Sequence, residues 1–220
     1  MRLLEQIERW LIPLGGLLAL AGYFGPWVNH PVAGLVIMGL DLGEYVKFLP
    51  EVRNGQIMLW REGFYLPLVA VSLAFSLNAF RKQLAYDWLV RVFLVAIAIM
   101  TALNLLPPAW TPNRLITPEF RLQTVMMIIC LAMVALSPFL ALLPQRISTA
   151  LIVSLSGLAL WFPIHDFLGV LPLISGLYNH SLRPGWGMVV MVVGLIVLAG
   201  ASIYAESQRT QSHEVTKKSE

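Results

Sequence analysis

The chain has 220 residues, of which 58% are hydrophobic and only 12% charged, and a formal net charge of +3. Soluble domains carry about a quarter charged residues, so this composition excludes an ordinary water-soluble domain and points to lipid as the solvent of long stretches. With no basic patch interleaved with aromatics, +3 excludes nucleic acid as a partner, and a single cysteine, Cys130, excludes an intramolecular disulfide and a cysteine-built metal site.

In chain order, residues 1–10 (MRLLEQIERW) predict an extension of the first helix along the inner surface. Arg2 and Ala19-Leu20-Ala21 imitate a signal peptide, but Glu5 and Glu8 cancel its positive end. The apolar run also continues through Tyr23, Phe24 and Trp27. The segment is therefore read as a retained first span. Six runs have the length and polarity of transmembrane helices: 11–28, 63–80, 89–106, 123–143, 147–163 and 186–204. Pro67 and Pro138 predict local kinks in the second and fourth. Gly15, Gly16, Gly22, Gly25, Gly194 and Gly200 predict close helix approach.

The longest interval between apolar runs is Trp27 to Glu62. Asp41 and Glu44 have the D-x-x-E spacing of a helix start, with Asp41 as the cap. Leu42, Tyr45, Val46 and Leu49 then share one face of a short amphipathic helix. Pro50 stops it, and Asn54-Gly55 reads as a turn. The apolar runs 32–38 and 56–60 suit strands or coil on a lipid surface. Beyond Pro163 the chain stays apolar to Ile174, and its Pro and Gly content predicts a re-entrant or interfacial piece rather than a continued helix.

All seven tryptophans fall near predicted span ends, where an indole can bury its ring and keep its N–H wet. Nine Lys and Arg residues lie on the N-terminal side of the spans and six on the other, which places both termini in the cytoplasm. Residues 1–205 then form one integral-membrane domain, and the polar tail 206–220 is expected to be disordered.

No ionisable group falls at mid-depth in any span, which argues against ion coupling. The outer segments gather His30, His165 and His180 together with Asp166, Asp41, Glu44 and Tyr45. These seven are the candidate ligand- or partner-binding residues. No two of the histidines have a close metal-ligand spacing, so no metal, cofactor or catalytic residue is assigned.

The Pro26-Trp27 and Gly39-Leu40-Asp41-Leu42 segment, with the Pro184-Gly185-Trp186-Gly187 turn into the last span, resembles features of uncharacterised bacterial multi-span proteins. That resemblance implies a bacterial plasma membrane and no activity. The expectation is an all-α, six-span bundle in the plasma membrane, bound by the lipid bilayer and by a membrane-protein partner. It acts as a non-enzymatic subunit or scaffold. The alternatives are a permease for a small or lipidic solute, with a cleft lined by Pro67 and Pro138, and an outer-face enzyme using His165, Asp166 and His180.

Overall fold

A computed structural model describes the backbone of residues 2–30, 35–107 and 110–219, and side chains within 9–29, 36–107 and 110–208. The chain is mostly helical. In order it forms α1 (Arg2–Tyr23), a hairpin of β1 (Pro26–His30) and β2 (Leu35–Met38), α2 (Gly39–Tyr45) and α3 (Pro50–Arg53). Then come α4 (Leu66–Asn78), α5 (Trp88–Leu103), α6 (Pro112–Leu115), α7 (Arg121–Ala135), α8 (Ser137–Leu140), α9 (Gln145–Leu177) and α10 (Trp186–Ser219).

Two helices among the described residues are long and apolar enough to cross a membrane, Gln145–Leu177 and Trp186–Gln208. α4, α5 and α7 have 13, 16 and 15 residues and are shorter than the spans expected there. Prolines explain part of the shortening. Pro67 and Pro138 do not kink helices; they sit in the first turns of α4 and α8, where a missing N–H costs nothing. The prolines within helices are Pro13, Pro163 and Pro172.

α4 is the hub. It packs against α1, α5, α7, α8 and α9, and nearly all its residues are buried. Serine hydroxyls stitch it in place. Ser72 Oγ donates to the Ala98 carbonyl of α5 at 2.9 Å, and Ser137 Oγ donates to the Ser76 carbonyl at 2.7 Å. At its C-terminal end Arg81 is 1% exposed. Its guanidinium donates to the Leu77 carbonyl at 3.1 Å, to Gln145 Oε1, to Ser148 Oγ and to the Leu143 carbonyl at 3.4 Å. The residue that the sequence marks only as a topological charge is a clamp between the end of α4 and the start of α9.

α1 and α10 run antiparallel at close range through glycine. Gly15 meets Leu198, Gly22 meets Met191 and Gly194 meets Ala19, backbone against backbone. Gly16 instead admits the Phe75 ring of α4, and Gly200 faces open space. The shell helices turn large aliphatic side chains outward, among them Val92 on α5, Ile128 on α7, Leu158 on α9 and Ile196 on α10.

The hairpin bears on the fold more than its size suggests. Its register shifts between Pro26 and Val28, so Trp27 lies in a bulge, a device that re-aims a side chain. Trp27 is fully buried, with Nε1 donating to the Gly22 carbonyl at 3.2 Å and its ring edge-on to Phe167 at 5.3 Å. It is a core residue, whereas Trp10, Trp88, Trp110, Trp161 and Trp186 are exposed. Gly185 N donates to the Trp27 carbonyl at 2.7 Å, and Gly25 packs on the Trp186 ring. The two motifs singled out in the sequence thus lie against each other. Residues 31–34, part of the run expected as strand or coil, lie outside the described residues.

α9 corrects the expected break after Pro163. Its 33 residues give a length of about 50 Å at 1.5 Å per residue. Pro163 and Pro172 are carried inside one helix because Phe167, Val170, Leu171 and Ile174 bury against its neighbours. That burial outweighs a proline penalty of about 3 kcal/mol. α10 likewise stays helical to Ser219, past the start of the tail expected to be disordered. The tail is rich in Gln, Glu, Lys and Arg, good helix formers, and it extends an existing helix without a new nucleation cost.

Candidate functional site

The segments between α1 and α4, the start of α7 and the last third of α9 form a cap at one end of the bundle. Three contacts seat it on α9: Trp27 on Phe167, the Trp60 ring edge-on to Phe162 at 4.8 Å, and the Trp60 N–H donating to Asp166 Oδ2 at 3.2 Å. A fourth joins Tyr45 of α2 to Tyr178 through their hydroxyls.

α2 begins three residues before the expected start, with Met38 rather than Asp41 at the cap position. Asp41 is therefore not the cap; it sits in the first turn and accepts the Met38 N–H at 3.1 Å. The expected apolar face is right. Leu42, Val46 and Leu49 are buried and Tyr45 is half-buried. Glu44 and Lys47 lie off that face, in a charge cluster with residues far away in the chain.

Lys47 Nζ is 2.6 Å from Glu44 Oε2 and 2.8 Å from Glu119 Oε1. Arg61 Nη2 is 2.9 Å from Glu62 Oε1 and also donates to the Glu119 carbonyl. Arg61 Nη1 lies 3.7 Å from Glu119 Oε1. Tyr65 OH donates to Glu44 Oε1 at 3.2 Å. Both cations sit over the Phe120 ring, at 5.3 Å for Lys47 and 5.6 Å for Arg61.

The hydrogen bond from Lys47 holds the Glu119 carboxyl below its ordinary pKa. Burial pulls the Lys47 ammonium down, and its bonds to Glu119 and Glu44 more than reverse this, so its pKa is raised. The Tyr45 phenol is pushed up to about 12, by burial first and then by the Tyr178 hydrogen bond.

Beside the cluster lies a pocket of about 470 Å³. Asp41, Glu44, Tyr45 and Tyr65 line one side, and Asn104 of α5 and Gln123 of α7 the other. Phe48, at the rim, is 73% exposed. Gln123 is 1% exposed, and its Oε1 has no hydrogen-bond partner. Buried polar atoms are almost always paired, so this acceptor stands out in a pocket wall.

His165 and His180 stand well apart along α9. His165 is exposed, stacks on Trp161 at 5.9 Å, and places Nδ1 3.1 Å from Asp166 Oδ1. His180 follows the end of α9, its N–H donating to the Ser175 carbonyl at 3.1 Å. Asp166 and Ser175 are nine residues apart on one helix, about 14 Å along its axis. Asp166 also accepts the Trp60 N–H through its other oxygen. The side chain of His30 lies outside the described residues. Among the described residues no three His, Cys, Asp or Glu side chains gather as a metal site.

Of the seven candidates, the structure brings Asp41, Glu44 and Tyr45 to one pocket and pairs His165 with Asp166. Sequence reasoning missed Lys47, Arg61, Glu119, Phe120 and Gln123 as their partners. Lys47 could have been paired with Glu44 by their i,i+3 spacing, but no local pattern joins the others, which meet only once α7 packs beside the cap. Comparison with protein-family models, curated proteins and solved structures finds no match to the chain.

Proposed function

We propose that this chain is a six-span plasma-membrane protein with both termini in the cytoplasm, and that it serves as a non-enzymatic subunit or scaffold whose outer cap receives a partner. The outward aliphatic side chains on α5, α7, α9 and α10 support lipid as their solvent. α4, α5 and α7 then cross as short helices prolonged by turns, and α9 overshoots a hydrocarbon layer of about 30 Å to carry the cap.

One observation carries the functional reading: the cap is locked by ion pairs around a pocket that holds a buried, unpartnered amide oxygen and an exposed aromatic rim. A rigid cleft of this kind suits a partner's side chain that donates a hydrogen bond to Gln123 and packs on Phe48. A permease is less well supported, because the centre is filled by α4, and Pro67 and Pro138 sit in the first turns of their helices and kink neither. An outer-face enzyme is less well supported, because His165 and Asp166 pair while His180 follows the far end of α9.

Purification in mild detergent after crosslinking tests the proposal. The wild-type protein is expected to bring down a stoichiometric partner, and Phe48→Glu and Gln123→Leu to release it while each variant remains folded. A lone monomer, or a partner retained by both variants, contradicts the proposal.

A further inference from the structure

At the opposite end of the bundle, Trp10, Pro13 and Leu14 of α1 and Leu89, Phe93 and Leu94 of α5 line a groove of about 460 Å³. Both helices lean on α4, and the groove is the gap between them. Its walls are apolar, yet Leu14, Leu89 and Phe93 remain exposed.

Arg9 and Arg91 adjoin the lining residues Trp10 and Val90 in the chain. Tyr86 joins them: its hydroxyl donates to the Arg9 carbonyl, its ring lies 6.2 Å from the Trp10 ring, and its carbonyl accepts Arg91 Nε at 2.8 Å. Arg9 sits over the Trp10 ring at 5.3 Å, and its Nε is buried without a hydrogen-bond partner. Asp87, four residues before Arg91, is exposed at the start of α5, and Glu5 and Glu8 precede Arg9 in the sequence. Tyr86 thus anchors the Arg91 guanidinium through its carbonyl and the Arg9 backbone through its hydroxyl, and the Arg9 guanidinium keeps an unmet buried donor beside the apolar groove.

We infer that this groove binds one anionic phospholipid, with an acyl chain between α1 and α5 and the phosphate on Arg9 and Arg91. The apolar walls match a hydrocarbon chain, and the two guanidiniums match a negative headgroup. Basic pockets between membrane helices bind anionic lipids by this combination. A zwitterionic lipid fits the groove but gains less from the arginines. Free phosphate gains from the arginines but leaves the groove open. The inference rests on the membrane reading above.

Native mass spectrometry of the full chain in mild detergent tests it, with phosphatidylglycerol, phosphatidylcholine or inorganic phosphate supplied separately. One phosphatidylglycerol is expected to be retained in preference to the other two. Arg9→Gln and Arg91→Gln should each weaken that retention roughly fivefold, since a basic residue near a lipid surface contributes about 1 kcal/mol. Leu14→Trp, on the exposed wall, should fill the groove and reduce retention of both lipids with circular dichroism unchanged. Equal retention of the two lipids, phosphate bound as tightly as phosphatidylglycerol, or retention indifferent to all three variants overturns the inference. Recovery of the chain in the aqueous fraction of lysed cells is a separate readout, and it defeats the membrane reading itself.

Discussion

Gly22 of α1 packs so closely on Met191 of α10 that a Cβ at Gly22 would stand 2.0 Å from the Met191 backbone nitrogen. Gly194 repeats the relationship one level further along, with a Cβ 2.1 Å from the Ala19 nitrogen. Backbone on both sides leaves no flexible side chain to give way. Gly22→Ala and Gly194→Ala should therefore each push the helices apart, at a cost of about 1–3 kcal/mol, the range for overpacking. Gly200→Ala is the control. It faces open space on the same helix and should be neutral or stabilising by up to about 1 kcal/mol. Thermal unfolding in detergent reads the difference. Equal melting temperatures for all three variants would mean that α1 and α10 are not in contact.

Arg81 gives a second prediction. Its guanidinium serves Leu77, Leu143, Gln145 and Ser148 from a fully buried position. Arg81→Ala strands those acceptors and should cost on the order of 3 kcal/mol. Arg81→Lys should recover less than half, because a point ammonium cannot reproduce the fork. Reversible unfolding in mixed detergent measures both. Full rescue by Lys would reduce the clamp to a simple charge.

The cap should loosen at both extremes of pH. Glu119 has a depressed pKa, so the stability it adds is present above its unfolded value near 4.5 and is lost as pH falls through the lower folded value. Lys47 has a raised pKa, so its contribution is complete below 10.5 and is lost as pH rises past that. Tyr45 acts in the same direction, since its buried neutral form is favoured and its contribution fades between 10 and about 12. The protection of the α2 amides, taken relative to their intrinsic exchange rate at each pH, should fall below about pH 4 and again above pH 10. In Glu119→Gln the acid limb should vanish and the alkaline limb should persist. Protection factors flat across the whole range would show that the cluster does not hold the cap.

These predictions draw on parts of the molecule that are unevenly legible in the sequence. Leu42, Val46 and Leu49 declare their buried face by spacing alone, and Gly15, Gly22 and Gly194 suggest their packing role by composition. Local rules fail where tertiary contacts override them. Asp41 has cap chemistry, yet the helix starts earlier because β2 delivers the chain directly into it. Pro163 and Pro172 signal a break, yet the cap buries that part of α9 and keeps it helical. Trp27 looks like an interfacial anchor, but a bulge turns it inward. Lys47 and Glu119 are 72 residues apart, and no single-sequence pattern links them. Arg81 reads as a topological charge because its partners come from a different helical hairpin.

The central claim is that the helices thread a membrane and leave the cap on the outside. Asn54 lies exposed in the cap, and Gln83 lies exposed in the turn between α4 and α5 at the other end. The native Cys130 is buried, which keeps background labelling low. Asn54→Cys and Gln83→Cys, treated in intact cells with a membrane-impermeant maleimide, should give labelling at position 54, and at position 83 only after permeabilisation. Labelling at 83 but not at 54, or equal labelling of both before permeabilisation, would contradict the account.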